Sequence, residues 1–152
     1  MSGKEVIHVP GLKAMGPYSQ AVRAGGLLFV SGQPGVNPST GEAAGTSFEA
    51  QARQAFNNLD TVLKAGGSQL KLVVNTTILV TDVSNFPEVN RLFAEFFPEN
   101  PPARMTMQVP LPKGFLISIG CVAHFPCRAT GAVPVNQGRE SRQDCVRRYL
   151  GQ

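Results

Sequence analysis

The spacing of apolar residues along the chain predicts an amphipathic helix in its first half. Apolar side chains recur there at three- and four-residue steps, which places them on one side of a helix. They are Ala52, Ala55, Phe56, Leu59, Val62 and Leu63. We expect this helix to begin at Thr46, with Glu49 completing a capping box, and to end at Gly66-Gly67.

A second helix is predicted shortly after Asn85. Asn85 and Glu88 are suited to its cap, and Pro87 is tolerated in the first turn. Its buried stripe is expected to contain Phe86, Val89, Phe93 and one of Phe96 and Phe97. Pro98 ends the helix because proline cannot continue the hydrogen-bond ladder.

Runs of β-branched and apolar residues predict the strands of one sheet. The segments with this character are 6–9, the hairpin 21–31 with its turn at Gly25-Gly26, 72–80, the stretch after Pro101-Pro102, and 116–125. The segment 32–45 is rich in glycine and proline, so we expect a long ordered loop there. The order of elements predicts an α+β sandwich, a mixed sheet with both helices on one face.

The last predicted strand indicates what covers the other face of the sheet. Its alternating residues form two rows, and both rows carry apolar groups, such as Ile117 and Ile119 in one and Leu116 and Val122 in the other. Two helices cannot cover both faces. We therefore expect another subunit to bury the second face, leaving clefts between protomers.

Composition narrows the class of protein. The chain has 152 residues, of which 42% are hydrophobic and 16% charged, values typical of a folded globular domain. It contains no apolar run long enough to cross a membrane, and its first residues do not resemble a leader peptide, so we expect a cytoplasmic protein.

The cysteines and histidines of the sequence indicate a reducing compartment and no metal site. The three cysteines form no CxxC pair, which suits a reducing compartment. Neither histidine has a neighbour at a metal-ligand spacing, so no metal site is expected.

The net charge of +4 lies mainly at the C-terminal end. From residue 128 onward the chain carries five arginines against two acidic residues, which leaves about +1 for the first 127 residues. A body so close to neutral offers no broad basic face, so nucleic acid is not an expected partner.

We expect one domain over 1–126 and a basic extension over 127–152. For the extension two interpretations stay open, a short helix over 141–150 or a loosely docked, disordered segment.

From the local sequence alone, Arg104 is the strongest candidate for a ligand-binding residue. It follows Pro101-Pro102, which restrict the backbone and so hold the entry to the next strand in a fixed direction. A guanidinium mounted in this way can bind a carboxylate or phosphate through two hydrogen bonds. The alternative is an ordinary surface salt bridge.

Several segments together resemble one family. They are GPYSQAV at 16–22, LFVSGQ at 28–33, TGE at 40–42, AQARQAFNNLD at 50–60, VNTTILVTDVSNFPEVN at 74–90, PPAR at 101–104 and LPKG at 111–114. They are similar to the reactive intermediate deaminase A family, called RidA or YjgF and, in older usage, endoribonuclease L-PSP. The resemblance covers about residues 4–125.

The resemblance implies a chorismate-mutase-like fold assembled as a homotrimeric barrel with sites at subunit interfaces. It also implies hydrolysis of 2-imino acids, such as 2-iminobutanoate and 2-iminopropanoate, to 2-oxo acids and ammonia without a cofactor. By the same resemblance, Arg104 grips the substrate carboxylate and Tyr18 lines the pocket in a catalytic role. Ser31, Gly32, Asn90 and Gly120 are implied to bind substrate.

Three of the other implied residues have simpler structural explanations. Tyr18 could be a loop aromatic at a subunit contact, Ser31 a strand-end residue whose backbone matters more than its hydroxyl, and Asn90 an exposed polar residue of its helix.

The chain departs from the family at the strand that usually reads IEIEA. Here it reads Ile117-Ser118-Ile119-Gly120-Cys121, so Gly120 stands in the site where the family has its water-positioning glutamate. Thr106 replaces a cysteine that often follows the arginine, and Cys121 should point to the opposite face from Gly120.

Three functions therefore stay open. The first is an imine deaminase, and the second is a binding protein for small carboxylates that has lost the chemistry. The third is the ribonuclease of the older name, which only the arginine-rich extension supports.

Overall fold

The computed structural model of the protein describes residues 3–12 and 14–126. The extension 127–152, with the helix predicted over 141–150, lies outside the described residues. No helix in the described part of the chain is long and apolar enough to span a membrane.

Six strands and two helices form the architecture. The strands are β1 Lys4–Ile7, β2 Ala21–Ala24, β3 Leu27–Pro34, β4 Val73–Val80, β5 Ala103–Gln108 and β6 Ile117–His124. The helices are α1 Phe48–Ala65, between β3 and β4, and α2 Phe86–Phe96, between β4 and β5.

The strands form one mixed sheet in the order β1-β2-β3-β6-β4-β5. The pair β4–β5 is parallel, and the other neighbouring pairs are antiparallel. The predicted α+β class, with two helices on one face of a mixed sheet, is therefore confirmed.

The hydrophobic core lies between the helices and one face of the sheet. The predicted stripe of α1 is buried as expected, and α1 packs against β3, β6 and α2. Four aromatic rings join the two helices, with Phe56 stacked on Phe96 at 4.6 Å and edge-on to Phe93 at 6.5 Å. From the sheet, Ile78 and Ile119 project into this core with no exposed surface.

Both helix starts differ from the prediction. Ser47, not Thr46, caps α1, because the Ser47 hydroxyl accepts the N–H of Ala50 at 3.2 Å. The side chain of Asn85 makes no capping hydrogen bond at α2, where its backbone, at φ −80° and ψ 2°, lies outside the extended region that capping residues usually adopt. Asp82 instead accepts the N–H of Ser84 at 2.8 Å and caps the short turn before the helix.

Two strand limits and one buried residue were also predicted wrongly. The first strand lies at Lys4–Ile7, and β3 continues through Gly32 to Pro34 into the segment expected to be a loop. β3 continues because a bulge between Val30 and Gln33 lets the strand keep its pairing with β6. Phe86 is 39% exposed, since it is the first residue of α2 and lies at the rim of the core.

The second face of the sheet is open in the single chain. It carries Val6, Phe29, Met105 and Met107, which are all exposed. The prediction that another subunit covers this face stays a prediction.

Candidate functional site

Arg104 lies on the edge strand β5 and points toward the helices. It pairs with Thr76 of β4, which is fully buried on the helix side. Its Nη2 donates a hydrogen bond of 2.8 Å to Oδ1 of Asn90 on α2. The guanidinium carbon lies 4.8 Å from the ring centre of Phe93 and 5.4 Å from that of Phe86. The helix α2 therefore provides the support on which the arginine rests.

Among the described arginines, Arg104 is distinguished by its lack of an acidic partner. Arg23 pairs with Glu5, while Arg53 and Arg91 pair with glutamates of the two helices. Arg104 makes no ion pair with any residue that the structure describes. The surface salt bridge considered from the sequence is therefore not present in this part of the chain, and the charge remains available for an anionic ligand.

Thr106 adds a second unusual group to the same strand. It lies two residues after Arg104, so its side chain points to the same side. Its Oγ1 is buried and has no hydrogen-bond partner among the described residues. An unpaired buried hydroxyl is costly, which is a reason to look for function near it.

Ser31, Gly32 and Gly120 meet on the neighbouring strands β3 and β6. The Ser31 hydroxyl donates to the Ser19 carbonyl at 2.7 Å, and the Ser31 N–H bonds to the Gln20 carbonyl at 2.9 Å. The Ser31 hydroxyl is thus committed to holding the preceding loop. A Cβ at Gly32 would come within 2.6 Å of Oγ of Ser118, so a larger residue here would have to push that hydroxyl aside.

These strands form the floor of a cavity of about 320 Å³ on the open face of the sheet. Its lining combines apolar walls with hydroxyl and amide groups, and contains Phe29, Gly32, Asn75, Thr77, Ser118 and Gly120. The one ionisable residue of this lining is Cys121, whose side chain belongs to the core on the helix side, where burial raises the pKa of its thiol to about 12. The described walls of the cavity therefore hold no carboxylate and no charged group at neutral pH.

Tyr18 lies elsewhere in the chain. Its side chain is 45% exposed and lines a separate depression of about 330 Å³ with Met15, Asn37 and Lys113. The N–H of Met15 donates to the Tyr18 hydroxyl at 3.4 Å.

A single chain thus brings some of the predicted residues together and separates others. Arg104 meets Asn90, and Ser31 and Gly32 lie beside Gly120. Arg104 and Gly120 point to opposite faces, because Arg104 pairs with buried Thr76 while Gly120 pairs with Thr77 at the open face. Tyr18 joins neither group.

Two supports of Arg104 were missed from the sequence. The spacing places the rings of Phe86 and Phe93 in the core, yet both also contact the guanidinium. A signal was present, since Phe86, Asn90 and Phe93 are four and three residues apart and so share one side of a helix. The buried Thr106 hydroxyl gave no comparable signal. Among the described residues no cluster of His, Cys, Asp and Glu could hold a metal ion.

Comparison with known proteins identifies the family to which the chain belongs. The family model described as endoribonuclease L-PSP matches residues 10–125. The human protein named 2-iminobutanoate/2-iminopropanoate deaminase is 42% identical over 111 residues, which are 72% of this chain and 81% of the human one. The Arabidopsis thaliana protein named Reactive Intermediate Deaminase A, chloroplastic, is 44% identical over 111 residues, or 72% of this chain and 59% of that protein.

A solved structure agrees with this assignment. The crystal structure of the YjgF gene product from E. coli superposes with a TM-score of 0.73 at 37% identity, covering 79% of this chain and 98% of that one. With a family model over most of the chain, relatives above 40% identity and a matching fold, the chain belongs to the RidA/YjgF family, whose model carries the name endoribonuclease L-PSP.

Proposed function

We propose that the protein hydrolyses small 2-imino acids to 2-oxo acids and ammonia. Arg104 carries this proposal. It is a half-buried cation without an acidic partner in the described chain, supported on one side by an amide and two rings. A carboxylate is the natural partner of a guanidinium, which can donate two parallel hydrogen bonds to it. A relative named as an imine deaminase supports this substrate class.

The site is completed, in this proposal, by a second copy of the chain. Arg104 and the Gly32–Gly120 cavity face opposite sides of one sheet, and Tyr18 lies in a third place, so one copy cannot surround a small substrate. The exposed apolar residues of the open face, such as Phe29 and Met105, supply a surface for that assembly. We propose a homotrimer with its sites between subunits.

The chemistry is a hydrolysis that needs little from the protein. Water adds to the carbon of the protonated imine, and a proton moves from the added water to nitrogen. The carbon–nitrogen bond then breaks and the leaving ammonia takes the remaining hydroxyl proton, which gives a 2-oxo acid and ammonium. The imine is already electrophilic, so orientation of its carboxylate and placement of one water are the main tasks. Arg104 performs the first task, and the Tyr18 hydroxyl is assigned the second.

The cavity itself favours a second candidate function. No described residue of its lining offers a carboxylate to take the proton of the attacking water. A protein that binds 2-oxo or 2-amino acids without converting them would have this arrangement.

The two functions differ in one assay. 2-Iminobutanoate is generated by a dehydratase and captured by semicarbazide, and the protein's effect on its loss is measured. A deaminase lowers semicarbazide capture, and Arg104→Ala abolishes the effect while the folded Arg53→Ala control keeps it. Binding of 2-oxobutanoate without acceleration supports the binding protein instead.

A further inference from the structure

Three side chains of α2 contact the Arg104 guanidinium from one side. Phe86, Asn90 and Phe93 lie on the side of the helix that faces β5. Asn90 is exposed otherwise and makes no hydrogen bond to another described side chain. Its amide oxygen is therefore committed to Arg104.

We propose that Asn90 is a positioning residue, which fixes the orientation of the Arg104 guanidinium while Phe93 supplies the surface on which the guanidinium lies. This inference rests on the proposed function, since it concerns how the carboxylate-binding group is held. It differs from the role implied by the resemblance, in which Asn90 itself binds the substrate.

Hydrogen-bond accounting supports an indirect role. A guanidinium has five N–H donors, and Asn90 Oδ1 accepts one from Nη2. The remaining donors are enough for a carboxylate bound through two hydrogen bonds. An amide oxygen fixes the plane of the guanidinium without neutralising its charge. A carboxylate at position 90 would occupy the same donors and compete with the substrate.

The two aromatic rings contact the same guanidinium. Both centroid distances, 4.8 Å for Phe93 and 5.4 Å for Phe86, fall within the range of cation–π attraction. Phe93 is only 7% exposed and packs against Phe56 and Phe97 at 6.5 and 4.7 Å. The core therefore holds the ring in place, so the ring offers the guanidinium a fixed surface to pack against.

A double-mutant cycle on the full-length protein separates positioning from direct contact. The probe is 2-oxobutanoate, and its binding is measured by titration calorimetry. We expect Asn90→Ala to weaken binding about tenfold, the scale of one hydrogen bond to a charged group. In an Arg104→Lys background, the guanidinium that Asn90 positions is already absent. There the same substitution should change binding by less than about twofold. An undiminished tenfold loss in that background would overturn the proposal.

Matched variants keep the cycle interpretable. Asn90→Asp should weaken binding more than Asn90→Ala does, because the new carboxylate pairs with Arg104. An Asn90→Asp variant that binds as well as the wild type would contradict the proposal. Asn57 is exposed on α1, so Asn57→Ala is the control for loss of a surface amide, and its binding should equal that of the wild type.

A second readout needs neither ligand nor activity. In the ligand-free protein, the guanidinium NMR signals of Arg104, assigned by their loss in Arg104→Lys, should show ring-current shifts and slow rotation. Asn90→Ala should restore fast rotation, and unchanged rotation would overturn the positioning role. If the wild type neither binds 2-oxobutanoate nor speeds imine loss, the proposed function fails, and this spectrum still decides the role of Asn90.

Discussion

Replacing Gly120 with glutamate tests whether the missing carboxylate limits the reaction. Position 120 lies at the open-face cavity, next to Gly32 and Thr77. We expect Gly120→Glu to raise kcat/KM for 2-iminobutanoate hydrolysis by about 10²- to 10⁴-fold, the usual contribution of a well-placed general base.

The structure indicates that a Cβ at position 120 needs only a small local adjustment. A Cβ at position 120 would lie 3.3 Å from the carbonyl oxygen of Val30 and 3.6 Å from the nitrogen of Gly32. The neighbouring backbone must therefore give by only a few tenths of an ångström. Loss of a glycine from a strand stabilises the fold by roughly 0.5–1 kcal/mol, which acts against this strain. We expect the variant to melt within a few degrees of the wild type.

Two further variants separate charge from size. Gly120→Gln has nearly the same shape as Gly120→Glu without the carboxylate, and Gly120→Ala reports the effect of the Cβ alone. Both should keep the wild-type rate, and the gain of Gly120→Glu should disappear as the pH falls and the new carboxyl group is protonated. If folded Gly120→Glu and Gly120→Gln have the same rate, the reasoning about the missing base is refuted.

Three other predictions concern assembly and stability. If the open face is an interface, Met105→Lys should lower the mass in solution toward the 16.2 kDa of one chain, measured by light scattering, whereas an unchanged mass would count against that use of the face. Gly35→Ala should cost about 3 kcal/mol or more in chemical unfolding, because its Cβ would lie 2.1 Å from the backbone oxygen of Gln51; wild-type stability would contradict this contact. The hydrogen bond from Arg53 lowers the pKa of Glu95, so this pair stabilises the fold above the ordinary glutamate pKa of 4.5, and the stabilisation is lost as the pH falls through the lowered pKa. The melting temperatures of wild type and Arg53→Ala should therefore converge as the pH is lowered from 7 to 3, and a gap independent of pH would exclude the pair as its cause.

Much of the fold could be predicted because its signals are local. The apolar stripe of α1 and the β-branched run of β4 follow from their spacing alone, and both lie where expected. The start of α1 was misplaced because Thr46 and Ser47 are both good capping residues, and neighbouring sequence does not choose between them. The extension of β3 through Gly32 depends on a bulge against β6, which is a long-range feature.

The candidate site was predictable only in part. Arg104 could be selected because the preceding prolines restrict its strand, but its supports depend on where α2 packs. The contact between Arg104 and Asn90 forms because β5 pairs in parallel with β4 at the sheet edge, beneath α2. The same pairing turns Arg104 away from Gly120, and no pattern in either strand alone reveals their relative orientation.

Loss of 2-iminobutanoate in the presence of semicarbazide is the most direct test of the central claim. The account predicts that the wild-type protein and Arg53→Ala accelerate the hydrolysis, while a folded Arg104→Ala variant does not. Equal acceleration by wild type and Arg104→Ala, or none by a wild-type protein that also fails to bind 2-oxobutanoate, would contradict the assignment of Arg104 as the carboxylate-binding group of an imine deaminase.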